Sequence, residues 1–143
     1  MKTIGLLLFL SFLISCKGGE PEPVILGDWL LRESFYQGCF GGGRSTFGPE
    51  DQHILHFSPP NRYRETIKGT LIESGTFTLA LDKDKYTGKD ALALTLTPEQ
   101  STRNPGTLYP FSQRIDELNN LRLSLSDLSY STTSSGATYS RIR

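Results

Sequence analysis

The clearest structural signal in this chain is the stretch Leu71-Ile72-Glu73-Ser74-Gly75-Thr76-Phe77-Thr78-Leu79-Ala80-Leu81. From Phe77 to Leu81 its large apolar residues recur at every second position, and small or polar residues lie between them. Successive side chains of a β-strand point to opposite faces of the sheet. A period of two therefore predicts a strand with one apolar and one polar face, and Glu73 falls in the register of the apolar face.

The same alternation recurs along the chain. Residues 92–97 and 121–126 alternate leucine with small or polar residues, and stretches rich in glycine, proline and asparagine separate the runs. After residue 16, no segment shows the 3.6-residue spacing of a helix. We predict eight strands, at residues 24–36, 52–58, 61–68, 71–81, 90–97, 109–118, 120–126 and 137–143.

Eight such strands predict an all-β fold, an eight-stranded antiparallel up-and-down β-barrel. Most of the connections are short enough to join neighbouring strands as hairpins, and closure of the sheet removes both exposed edges. A β-sandwich is the alternative, because alternation alone does not distinguish a closed sheet from two stacked sheets. A barrel of this size is wide enough for packed side chains or one small ligand.

The N-terminal segment resembles a bacterial lipoprotein signal peptide. Lys2 precedes an apolar run at residues 4–14, about half the roughly 20 residues that span a bilayer. Leu13-Ile14-Ser15-Cys16 resembles the lipobox, where the cysteine receives fatty acyl chains such as palmitate, and it lacks the small-x-small ending of an ordinary cleavage site. We expect a signal peptide at residues 1–15, lipid attachment at Cys16, a flexible tether at 16–23 and one domain at 24–143.

The residue after the cysteine bears on location. It is Lys17, not the aspartate that retains lipoproteins at the inner membrane, so the resemblance implies a lipid anchor in the bacterial cell envelope, at the outer membrane. Several acyl chains hold a protein stably on a membrane, so the membrane is an expected partner. Glu20 only partly matches the acidic residues that accompany export to the outer face, so the inner and the outer leaflet of the outer membrane both remain alternatives.

The charged residues, cysteines and histidines predict no catalytic or cofactor site. Lys and Arg number 15, as do Asp and Glu, without long blocks of one sign, so nucleic acid is not an expected partner. Once Cys16 is acylated, Cys39 has no second cysteine for a disulfide. His53 and His56 lie three apart on a predicted strand and therefore on opposite faces, which argues against a shared metal. We expect no metal, no cofactor and no enzymatic activity.

Two short motifs near the ends of the predicted domain carry a family resemblance. Gly27-Asp28-Trp29 is a G-x-W element on the first strand, and Tyr139-Ser140-Arg141 lies on the last. With eight strands, they resemble the lipocalin (calycin) superfamily, above all the small lipocalin-like lipoproteins of Bacteroidota. The resemblance implies that Trp29 lies at the closed end of the barrel with Arg141 packed over its ring. Gly27, Trp29 and Arg141 are then expected to form a structural floor.

The resemblance also implies a function. A membrane-anchored, monomeric lipocalin-like lipoprotein would bind a small hydrophobic ligand in its barrel. The alternative is a non-enzymatic structural or interaction lipoprotein with a filled barrel, whose protein partner the sequence does not identify. The glycine-rich connection at residues 37–51 is expected to be either a lid over the barrel mouth or a passive surface loop. Expected to line the ligand cavity are Phe77, Leu92, Leu94, Leu96 and Tyr109.

Overall fold

The computed structural model describes residues 25–84, 88–103, 105–106, 108–128 and 134–143. The expected signal peptide at residues 1–15 and the acylated cysteine and tether at 16–23 lie outside these residues. Within them, no helix is long and apolar enough to cross a membrane. The described residues form one 3-10 turn, Pro49–Asp51, and nine strands: β1 Gly27–Gly38, β2 Gly41–Thr46, β3 His53–Ser58, β4 Arg62–Ile67, β5 Thr70–Lys83, β6 Asp90–Ser101, β7 Phe111–Leu118, β8 Arg122–Asp127 and β9 Ser134–Arg141.

Eight of these strands close into a barrel. Strand β1 pairs with β3, each later strand pairs with the next one along the chain, and β9 pairs back with β1. All of these pairings are antiparallel. The predicted all-β, eight-stranded up-and-down barrel is therefore confirmed, and the sandwich alternative is wrong.

Strand β2 is an addition to the barrel that the sequence analysis does not predict. Strand β1 continues to Gly38, and the chain then reverses so that β2 pairs with residues 33–38 of β1. Strand β3 pairs with residues 27–30 of the same edge. Gly41 has a φ of +138°, which favours glycine at this reversal. Much of the expected loop at residues 37–51 thus belongs to an ordered β1–β2 hairpin. In this hairpin, β2 forms backbone hydrogen bonds with the part of β1 that β3 does not reach.

The two ends of the barrel differ. At the floor end, β1 begins at Gly27 near the last residue of β9, Arg141. At the hairpin end, Gln37 pairs with Ser134, the first residue of β9, and the β1–β2 turn follows. Because the barrel strands alternate in direction, the start of β3 and the end of β6 also lie at the hairpin end.

The apolar core packs inside the barrel, and every strand of the barrel contributes to it. The rings of Phe57 and Phe77 meet edge to face, with centroids 5.0 Å apart and planes at 76°. Such a contact stabilises the fold by about 0.5–1.5 kcal/mol beyond the burial of the two rings. The buried members of the core are Ile25, Trp29, Leu55, Phe57, Tyr63, Phe77, Leu94, Leu96, Leu123 and Leu125, with Leu79, Ile115, Leu118 and Tyr139 packed against them.

Candidate functional site

The residues that the lipocalin resemblance singles out lie together at the floor end. Trp29 is fully buried, and the guanidinium carbon of Arg141 lies 4.5 Å from the centroid of its ring. The Trp29 Nε1–H donates a hydrogen bond of 2.6 Å to the backbone oxygen of Ile25. Gly27 has a φ of +123°, a conformation that favours glycine. The structure thus brings Gly27, Trp29 and Arg141 together at the floor end.

Three of the five residues expected to line a ligand cavity belong to the packed core. Phe77, Leu94 and Leu96 are buried within the core cluster. Leu92 is half-buried, outside that cluster, and is paired with Leu81. Tyr109 requires a correction: it is 74% exposed and does not line the interior. The reason is that β7 begins only at Phe111, so strand alternation does not extend to Tyr109.

A different set of side chains occupies the interior toward the hairpin end. His53 alternates along β3 with the buried Leu55 and Phe57, and therefore faces inward. Glu65 lies opposite both Leu55 and Glu73 in the strand registers, which places both carboxylates on the inner face. Each glutamate is only 8% exposed. Tyr63 and Arg103 bond to these acids. We call these five residues the inner polar cluster: His53, Tyr63, Glu65, Glu73 and Arg103.

Glu65 is the acid of this cluster that has basic side chains as neighbours. Its Oε1 bonds to His53 Nε2 and accepts a 2.6 Å hydrogen bond from Arg103 Nη2. Burial by itself raises the pKa of Glu65, but the His53 hydrogen bond and the positive charge of Arg103 outweigh it, so that the pKa is lowered. Arg103 lies two residues after the end of β6 and its side chain is half-exposed, so its guanidinium covers Glu65 from the hairpin end.

Glu73 has a different environment. Its Oε1 accepts a 2.8 Å hydrogen bond from the Tyr63 hydroxyl. Among the described residues, no lysine, arginine or histidine forms an ion pair with Glu73. Burial, and then the hydrogen bond to Glu73, raise the pKa of the Tyr63 phenol, which therefore stays protonated and acts as a donor.

The cluster reaches across the barrel to β9. Tyr139 lies opposite the buried Leu123 in the β8–β9 register, so its ring is on the inner face. Burial raises the pKa of Tyr139, and the negative charge of Glu65 raises it further. The interior toward the hairpin end therefore combines acidic groups with two neutral phenols, and it can accept and donate hydrogen bonds and attract positive charge.

The described residues hold no group of three or more His, Cys, Asp or Glu side chains arranged to bind a metal ion. The two histidines lie on opposite faces of β3, since His53 bonds to the inward Glu65 and His56 Nδ1 bonds to Asp28. The inner polar cluster was not predicted from the sequence, although one signal was present. Glu73 falls in the apolar register of its strand, and an acid at such a position indicates a polar side chain that points into the core.

The pKa of Glu65 leads to a prediction about acid stability. Folding lowers the pKa of Glu65 from its ordinary value of 4.5, so the ionised carboxylate stabilises the protein at pH values above 4.5. That contribution is lost as the pH falls through the lower pKa of the folded state. Glu65→Gln keeps the shape but removes the charge. We expect the variant to lose about 1–3 kcal/mol of stability at neutral pH. Thermal unfolding followed by circular dichroism should show a shallower fall in melting temperature below about pH 5.

Glu33→Gln is the control for that experiment, because Glu33 lies on β1 outside the cluster with its side chain 40% exposed. This variant should follow the wild-type pH curve. If Glu65→Gln also follows it, the buried ion pairs of Glu65 contribute nothing to acid sensitivity.

Comparisons of the chain with protein-family models, with curated proteins and with solved structures gave no match.

Proposed function

We propose that this protein is a membrane-anchored, lipocalin-like lipoprotein of the cell envelope, placed at the outer membrane, that binds a small ligand inside its barrel toward the hairpin end. The observation that carries the proposal is the change in the interior along the barrel. Apolar side chains pack the floor, whereas two buried carboxylates and their partners lie farther up. Burying such groups costs free energy, and a barrel that served only as a scaffold gains more from apolar packing.

Aromatic side chains near the hairpin end support a ligand with an apolar body. Phe111 lies opposite the buried Leu96 in the β6–β7 register, so it is on the inner face, yet its side chain is partly exposed. Tyr36 lies opposite Ser135, which shares the inner face with Ala137, and it is also exposed. Apolar walls with a few convergent polar groups are the common composition of small-molecule sites.

A pair of neighbouring residues on β9 provides the test. Ala137 lies opposite the core residue Leu125 and faces inward, whereas Thr138 lies opposite Ser124 and faces outward. The wild-type domain should bind the neutral fluorescent probe N-phenyl-1-naphthylamine saturably, with a dissociation constant in the micromolar range. Ala137→Phe fills the interior and should weaken binding at least about tenfold, because the probe and the new ring compete for one volume.

Thr138→Phe is the matched control and should leave probe affinity within about twofold of the wild type, since its ring points outward. Thermal unfolding verifies that both variants are folded. Mass spectrometry of lipophilic material that co-purifies with the domain tests ligand binding without any substitution. Absence of saturable probe binding together with absence of co-purified material would contradict the proposal.

A second candidate function rests on a different observation. Strand β2 pairs only with β1, so its other edge has no neighbouring strand among the described residues. Phe40, in the turn before β2, is fully exposed. An unpaired edge and an exposed ring are features by which proteins recognise other chains. A non-enzymatic interaction lipoprotein is therefore the function favoured if the barrel binds no small ligand.

A further inference from the structure

The two acids of the inner polar cluster are equally buried but not equally compensated. Glu65 and Glu73 lie opposite each other on β4 and β5, and each is 8% exposed. Glu65 bonds to both His53 and Arg103, whereas Glu73 accepts a hydrogen bond from the neutral Tyr63 phenol. Like charges directly opposite each other on a sheet repel. The cluster has two basic side chains, His53 and Arg103, and both bond to Glu65.

The carboxylate of Glu73 can accept more hydrogen bonds than it receives. An ionised carboxyl group offers about four acceptor positions, and the described side chains use one of them at Oε1. A buried carboxylate without a cation is costly, so a positively charged partner at this position would be bound strongly. Arg103 and His53 already bond to Glu65, and among the described residues no other basic side chain forms an ion pair with either acid of the cluster.

A second group beside Glu73 also has unused capacity. Ser101 is the direct partner of Glu73 in the β5–β6 register and therefore shares its face. The Ser101 Oγ is buried and forms no hydrogen bond with the described residues. Buried hydroxyl groups are nearly always satisfied, so an unsatisfied one next to an uncompensated carboxylate points to a missing donor.

We propose that the ligand of this barrel carries a protonated amine, which pairs with the carboxylate of Glu73 and donates a second hydrogen bond to Ser101 Oγ. A primary ammonium has one positive charge and three N–H donors, and so matches one carboxylate, one hydroxyl and a further acceptor. Its apolar body lies toward the partly exposed Phe111 ring at the hairpin end. An anionic ligand does not fit, because both basic side chains of the cluster already bond to Glu65 and Glu73 would repel a second anion. This inference rests on the proposed function and names the chemical class of its ligand.

The test uses two probes that differ only in the charged group. Calorimetric titration at pH 7 compares 2-phenylethylamine, which is protonated, with 2-phenylethanol, which is neutral. The wild type should bind the amine at least about tenfold more tightly than the alcohol, because only the amine neutralises the buried carboxylate. Glu73→Gln should abolish this preference while leaving alcohol affinity within about twofold of the wild type.

Glu99→Gln is the matched control, since Glu99 is an exposed acid whose carboxylate bonds to Arg62 and not to the cluster. It should retain the preference for the amine. If Glu73→Gln does not fold, Ser101→Ala provides the second variant, and it should weaken amine binding severalfold with alcohol binding unchanged.

The outcomes separate this inference from the proposed function. Equal affinities for amine and alcohol, unaffected by Glu73→Gln, overturn the ligand class and leave ligand binding intact. The same holds if N-phenyl-1-naphthylamine binds in the barrel and 2-phenylethylamine does not. If none of the three probes binds, both proposals fail.

Discussion

Replacing Trp29 with alanine is expected to lower the free energy of unfolding by about 3–5 kcal/mol, the cost of truncating a large buried aromatic side chain. The indole is fully buried, donates a hydrogen bond to Ile25 O and lies beneath the Arg141 guanidinium. Its removal leaves a cavity, an unpaired carbonyl and a half-buried guanidinium without its aromatic partner. Urea denaturation followed by circular dichroism measures the loss. Tryptophan fluorescence cannot be used, because Trp29 is the only tryptophan of the chain.

Tyr109→Ala is the control for this measurement. It also removes an aromatic ring, but Tyr109 is 74% exposed, so its loss should change stability by no more than about 0.5 kcal/mol. A loss below about 1 kcal/mol in Trp29→Ala would show that the floor contributes little to stability. The lipocalin-like role assigned to Trp29 and Arg141 would then be wrong.

Replacing Cys16 with alanine is expected to release the protein from membranes completely and to abolish its labelling by a fatty acid. The residue follows a lipobox-like tripeptide, and we propose that it carries the only lipid anchor. Several acyl chains, at about 0.8 kcal/mol per buried methylene, provide the entire membrane affinity in this proposal. Metabolic labelling with an alkyne fatty acid, in a bacterium that processes lipoproteins, combined with membrane fractionation, measures both effects.

The chain supplies its own control, since Cys39 is the only other cysteine. Cys39→Ala keeps the lipobox-like sequence and should label and sediment like the wild type. Labelling and sedimentation of Cys16→Ala at wild-type levels would contradict the anchoring proposal.

Most of the barrel could be predicted from the sequence, because its strands carry a local signal. Runs such as residues 71–81 and 92–97 face the core on one side and solvent on the other, so each run records its own orientation. Strand β2 has no such signal. It begins with Gly41, Gly42 and Gly43, all its residues are exposed, and it forms because β1 offers it an edge. A strand with no buried face does not show in a hydrophobic pattern.

The floor and the inner polar cluster differ in the same way. The floor could be predicted because the lipocalin-like motifs near the two ends of the domain name its members, Gly27, Trp29 and Arg141. The cluster could not be predicted, because its residues come from three strands and the segment after a fourth, and no pair of them forms a motif. His53 and Arg103 are separated by 49 intervening residues in the chain, and both bond to the same oxygen of Glu65.

Three features can be predicted from the chain alone: the strand pattern, the lipobox-like start and the pairing of a first-strand tryptophan with a last-strand arginine. Each of them depends on residues near one another or on a family resemblance. Only the tertiary structure decides that the barrel closes, that β1 and β2 form a hairpin, and that basic side chains bond to Glu65 but not to Glu73. The physical reason is that strand register sets which side chains lie opposite each other. The stability of a buried charge depends on those neighbours and not on its position in the sequence.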